Sequence, residues 1–296
     1  MKFTCLIAAL LFMSCANADQ GTSHAPHTAT GAMATPANDP FSATLDISDE
    51  NIVSESHASS GNSRYTPDQI ALFAKQLEKA LAGKGVHVAI VANMDQPASE
   101  RPEGMRYTHV AFAVYSLITT KNGRKLPGYA IYALQQEDKH RDMSELIQNF
   151  PADFFSDAAV LEAGIIIPTP KLQQRLLDVI NSPTYSTLHD PHYSLIANPY
   201  TLGSQNDAEH TLDVVAAALY RTSNIKRIKA NEIAYFKAQP VNINPIRLKL
   251  GSLFNSDIST SDHPGSPETA TFETLAIFLQ KFNKGSEVMN FTLQSK

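Results

Sequence analysis

The chain has 296 residues, 43% hydrophobic and 18% charged, with 24 Lys and Arg against 29 Asp and Glu and a net charge of -5. That length can bury a sizeable core as one large domain or two small ones. The charge balance lacks the clustered basic stripe of a nucleic-acid binder, and after the opening residues no apolar run reaches the roughly 18 to 20 residues that span a bilayer.

Lys2, the apolar stretch Cys5–Met13 and the small-x-small sequence Ala16-Asn17-Ala18 mark residues 1–18 as a signal peptide. Two processing routes are open: cleavage after Ala18, or lipidation of Cys15 within Phe12-Met13-Ser14-Cys15, which resembles a lipoprotein box. Either route exports the chain to the periplasm, free or tethered. Cys5 and Cys15 are its two cysteines, so the folding part has no disulfide, no thiolate zinc site and no cysteine nucleophile.

Residues 19–64 are rich in Ser, Thr, Ala, Asn, Pro and His, with aperiodic apolar residues, and read as a disordered leader or tether. His24, His27 and His57 read as part of that spacer. A single globular domain is expected over 65–284, followed by a C-terminal tail, 285–296.

The domain opens with a helix over "TPDQIALFAKQLEKALAGKG". Thr66 caps it, Pro67 suits the first helical position and Gln69 completes a capping box, while Ile70, Phe73, Leu77 and Leu81 form one apolar stripe ending at Gly83. "VHVAIVAN" reads as a buried strand. Two β-rich runs flanking Asn122-Gly123 predict a hairpin. On its first strand, the period of two puts Tyr107, His109, Ala111, Ala113 and Tyr115 on one face.

A polar stretch follows, then a strand over Gly164–Pro168 and a helix with Leu172, Leu176, Val179 and Ile180 inward. The Pro- and aromatic-rich segment "SPTYSTLHDPHYSLIANPYTLGSQ" is long enough to be functional. A helix from Asn206 to Tyr220 buries Leu212, Val215, Ala216 and Leu219. Later helices include one starting at Pro267 and carrying Phe272, Leu275, Phe278, Leu279 and Phe282. The order of elements predicts an α+β fold, an antiparallel sheet packed with helices.

Several residues could carry chemistry. His109 stands mid-strand, where it is either a hydrogen-bonded structural histidine or a general base. Asn206-Asp207-Ala208-Glu209 reads as an ordinary acidic helix cap, with Asn206 capping and Glu209 at the third helical position. A helix N-terminus is also where nucleophilic cysteines gain a lowered pKa and N–H groups for an oxyanion. His189 and His192, with Asp190 between them, could join His210 or Asp207 at a metal, although their spacing matches no firm zinc pattern. Asp262-His263-Pro264-Gly265 reads as a turn.

The segments "MRYTHVAFAVYS", "LPGYAIYAL", "LEAGIIIPTP", "YSLIANPYTLGSQNDAEHTLDVV" and "SDHPGSPETATF" resemble a bacterial family of exported proteins catalogued as a domain of unknown function, over residues 65–284. A strand histidine followed much later by an Asn-x-x-Glu-His helix start is distantly similar to the circularly permuted papain-like enzymes, including the NlpC-like cell-wall peptidases and lecithin retinol acyltransferase. That resemblance implies a permuted papain-like core with His109 as base, Tyr129 or Tyr132 as its orienting residue, and position 207 as nucleophile. There the family pattern has Cys and this chain has Asp207.

Three readings follow. The first is an envelope protein that has lost thiol catalysis and binds a ligand, which could be peptidoglycan, lipid or an envelope protein, through Tyr107, Asn206, Glu209, His210, His189 and His192, with no cofactor or metal. The second is an active amide or ester hydrolase or acyltransferase using Asp207 and His109, with or without a metal. The third is a purely structural or interaction module in which the resemblance is coincidental, with His109 and Asp207 far apart and no shared cleft.

Overall fold

The computed structural model describes residues 64–99, 101, 103–119, 124–242 and 258–293. The expected signal peptide and leader, with Cys15, His24, His27 and His57, lie outside the described residues, as does the Asn122-Gly123 turn.

Helix α1 (Pro67–Gly83) begins with the predicted capping box: the Thr66 hydroxyl accepts from the Gln69 amide, and the Gln69 side chain accepts from the Thr66 amide at 2.9 Å. Strands β1 (Val88–Asn93), β2 (His109–Thr119), β3 (Lys125–Gln136) and β4 (Ser144–Asn149) then run as an antiparallel meander. After the short α2 (Pro151–Phe154), β5 (Glu162–Ile167) returns to the free side of β1. Helices α3 (Pro170–Ile180), α4 (Pro183–Thr187), α5 (Asp207–Tyr220) and α6 (Ile225–Tyr235) follow. A two-stranded ladder joins β6 (Gln239–Pro240) to β7 (Glu268–Thr269), and α7 (Phe272–Phe282) leads into β8 (Glu287–Thr292). The main sheet has the order β4-β3-β2-β1-β5-β8 and every neighbouring pair is antiparallel. The fold is α+β.

The sheet separates two apolar cores. On one side Val88, Ile90, Phe112, Val114 and Ile166 meet Leu172 and Leu176 of α3, Leu212 and Val215 of α5, and Leu275 and Leu279 of α7. On the other, Ala89, Val91, Ile131 and Ile165 meet Phe73, Leu77 and Leu81 of α1 with Phe154 and Phe155. Consecutive strand residues therefore serve opposite cores. All six residues of β1 are buried, which is why its sequence is apolar without alternation.

Four expectations need correction. The polar stretch after the hairpin contains β4, whose outer position leaves every residue but Ser144 at least partly exposed and its pattern weak. Residues 285–296 are not simply a tail, because β8 pairs with β5 from Glu162↔Thr292 to Ile167↔Glu287. Helix α7 starts at Phe272 under a Thr271 cap rather than at Pro267, since Glu268 and Thr269 are used in the small ladder. Tyr107 does not share a face with His109. It precedes the ladder, so the period of two does not reach it, and its ring packs on Phe272 at 4.7 Å in the opposite core. Among the described residues no helix is long and apolar enough to cross a membrane.

Candidate functional site

One end of the sheet collects the last residue of β1, the first of β2 and the end of β3. Together with α2 and the start of α5 these line a cleft of about 500 Å³. Asn206 caps α5 by accepting from the Glu209 amide at 2.8 Å, and this fixes the first helical residue, Asp207, over the beginning of β2. Asp207 Oδ2 accepts from the Val110 amide at 2.5 Å and lies 3.9 Å from His109 Nε2. The two side chains are 12% and 27% exposed, so the pair opens to the cleft through the imidazole. The separation rules out the arrangement in which residue 207 is a cap remote from His109.

His109 Nε2 also lies 3.2 Å from the Leu134 carbonyl oxygen, and the ring stands edge-on to Phe154 at 5.3 Å. A carbonyl only accepts, so Nε2 carries the hydrogen in that contact. Burial pushes the Asp207 carboxyl above its ordinary pKa, against the opposing pull of His109 and of the Val110 and Ala208 amides. Asp95, Asp153, Asp157 and Arg141 supply the remaining charge around the cleft, and Tyr193 and Leu195 reach it from the Pro-rich segment.

The other predicted site residues are placed differently. Tyr129 donates its hydroxyl to the Val86 carbonyl at 2.6 Å, and Tyr132 Oη accepts from Gln148 at 2.9 Å. Both tyrosines are used elsewhere, and the group that holds the His109 ring is the main-chain carbonyl of Leu134. Tyr107 lines the cleft, but its hydroxyl donates to Glu162 at 2.7 Å. Burial and the Glu162 carboxylate push that phenol well above the usual tyrosine range.

Asn206 is consumed in capping and in donating to the Leu195 carbonyl and the Thr269 hydroxyl, both at 3.0 Å. Glu209 turns inward to the buried Lys229 ammonium at 2.8 Å, which Asp213 at 2.7 Å and Glu232 at 3.3 Å also surround. With three carboxylates about one ammonium, burial and the neighbouring acids outweigh the lysine, and Glu209 is pushed up to about 8. His210 is buried against the Tyr185 carbonyl at 3.3 Å, and desolvation lowers it to about 3.

His189 lies 3.0 Å from the Ser144 hydroxyl, and the exposed His192 lies 2.9 Å from Asp190. Among the described residues no three His, Cys, Asp or Glu side chains gather as a metal would require. Asp262 is part of a turn, and more: its carboxylate accepts from the Asn198 amide at 2.9 Å and the Ser204 hydroxyl at 2.7 Å, pinning the Pro-rich segment.

The model of the family described as "Uncharacterized protein conserved in bacteria (DUF2145)" matches residues 80–279. The chain belongs to this family. The DUF2145 match takes in seven of the eight strands among the described residues and the whole of α5, and so includes both His109 and Asp207. No curated protein and no solved structure matches the chain.

Sequence reasoning missed the Leu134 carbonyl, because a main-chain acceptor leaves no trace in residue identity. It also missed Lys229. The signal there was legible: Lys229 and Glu232, three apart, share the inward face of α6 with Ile228.

Proposed function

We propose that this chain is an exported cell-envelope protein with a permuted papain-like site from which the nucleophile has been lost, and that its cleft binds a ligand without cleaving it. The observation that carries the reading is the 3.9 Å approach of His109 to Asp207 at a helix N-terminus. A thiol at position 207 would lie at a helix N-terminus and near an imidazole, the setting that thiol-dependent acyl transfer uses. The aspartate instead places one oxygen on the Val110 amide. A carboxylate is also a poorer nucleophile toward amides than a thiolate. Peptidoglycan fragments, lipid and envelope proteins are the ligand classes this reading brings forward, with the periplasm as the location and Cys15 as the residue for a lipid anchor.

The test is the restoration of Asp207→Cys. It should hydrolyse peptidoglycan fragments or acyl esters that the parent leaves intact, and the double variant Asp207→Cys, His109→Ala should lose that gain. Robust turnover by the parent would overturn the proposal in favour of a second reading, in which Asp207 and His109 act as an acid–base pair in an amide or ester hydrolase. One observation favours that alternative: burial raises Asp207 toward the range in which a carboxyl can shuttle a proton.

A further inference from the structure

We infer that the exposed face where α5, α6 and α7 terminate is a docking site for an anionic phospholipid surface. It belongs to the far end of α5 from the cleft. Asp207 and Tyr220 are the first and last residues of that helix, roughly 20 Å apart at a rise of about 1.5 Å per residue.

A chain of aromatic rings comes to the surface there. Tyr220 stacks on Tyr235 at 6.3 Å, Tyr235 meets Phe282 at 5.6 Å, and Phe282 rests on the buried Phe278 at 5.0 Å. Tyr235 is 51% exposed and Phe282 is 36% exposed, and Ile233 and Ile277 on the same two helices are more exposed still. By contrast, Leu72, Leu126, Val160 and Leu202 come from separate parts of the chain, and single exposed apolar residues of that kind need no explanation.

The charges that flank the rings along α6 and α7 are mostly basic. Arg221 follows Tyr220 directly, Lys237 follows Tyr235 by two residues, and Lys281 holds its ammonium 5.0 Å from the Phe282 ring centre. From Arg221 to Lys237 the exposed charges are Arg221, Lys226, Arg227 and Lys237, while the one acid, Glu232, is buried against Lys229. From Ile277 to Ser286 the charged residues are Lys281 and Lys284. Exposed cations with no exposed acid among them are notable in a chain whose net charge is -5.

Amphipathic rings flanked by Lys and Arg suit the boundary between headgroups and acyl chains, where ring and hydroxyl are both satisfied. Each basic residue near an anionic leaflet contributes about 1 kcal/mol. The surface rings in contact, Tyr220, Tyr235 and Phe282, offer far less area than the roughly 800 Å² per partner of a stable protein interface. A shallow, charge-steered lipid contact fits that size.

The chain has no tryptophan, so Tyr235→Trp in the full chain introduces a single reporter, and Leu72→Trp on α1 serves as the control. Emission of the Tyr235→Trp variant should shift to the blue on phosphatidylcholine vesicles containing phosphatidylglycerol and return in high salt, while the Leu72→Trp variant stays unchanged. Adding Lys281→Gln and Lys284→Gln should weaken vesicle binding roughly thirtyfold at low salt. Four results would each overturn the proposal. They are no shift at position 235 while the chain still sediments with vesicles, an equal shift on pure phosphatidylcholine, an equal shift at position 72, and blue emission without vesicles. The last would mean that a second copy or another part of the chain already covers the face.

Discussion

Asp207 and His109 approach to 3.9 Å across a helix–strand junction, and the same carboxylate oxygen accepts the Val110 amide at 2.5 Å. One oxygen thus fastens α5 to β2 and stands beside the imidazole, so substitutions at 207 report on two properties that can be separated. Asp207→Ala leaves the Val110 amide unmatched and should cost about 1.5 to 3 kcal/mol, the range for a hydrogen bond to a charged group. Asp207→Asn keeps an acceptor and should stay close to the parent in denaturant melts. Equal destabilisation by both would mean that the carboxylate charge, not the hydrogen bond, fastens the junction.

Glu209 and His210 are adjacent in sequence and opposite in linkage. Glu209 has a folded value of about 8 against an ordinary 4.5. Between those values the native chain keeps a proton that the unfolded chain has released, and stability falls as pH rises. His210 has a folded value of about 3 against 6.5. Between those values the unfolded chain takes up a proton that the native chain refuses, and stability is lost as pH falls. The two slopes cancel where the windows overlap. Denaturant midpoints across a pH series should show Glu209→Gln flattening the alkaline limb and His210→Gln flattening the acid limb.

Lys229 is the single ammonium among Glu209, Asp213 and Glu232. Lys229→Met should cost about 3 to 5 kcal/mol, the penalty for stranding buried charge. The cost should be greater at pH 8 than at pH 5, because acid neutralises the abandoned carboxylates. A variant as stable as its parent at both pH values would show that the cluster is already neutral without the lysine.

Gly164 is required by contact rather than by its backbone angles. A Cβ there would come within 2.8 Å of the Tyr107 and Phe272 rings. Gly164→Ala should cost about 1 to 3 kcal/mol as overpacking, and it should displace Tyr107, whose ring lines the cleft. Thermal melts measure the first effect. A change in the near-ultraviolet circular dichroism of the tyrosines measures the second.

The elements most legible in the sequence were those with a strong local signature. The Thr66–Gln69 capping box, the unbroken apolar run of β1 and the Asn206 cap all follow from neighbouring residues, and the structure places them as expected. The outer strands were harder to read. β4 and β8 are half-exposed, so neither alternation nor apolarity distinguishes them from loop. At the site, the pairing of His109 with residue 207 came from a pattern spread over 98 positions, and the distance bears out their proximity. The inward turn of Glu209 and His210 did not follow from that pattern. Their partners, Lys229 and the Tyr185 carbonyl, are brought to them only by the packing of α6 and α4 against α5.

The last strand changes what the end of the chain means. β8 covers β5 along six residue pairs, and the residues it faces include Ala163, Ile165 and Ile166, buried in the two cores. A chain shortened to Gly285 would present an apolar β5 as an open edge with its amides and carbonyls unpaired, a template for the same edge in another molecule. What composition marks as a dispensable end is therefore the guard against self-association, and its loss would be felt first as aggregation.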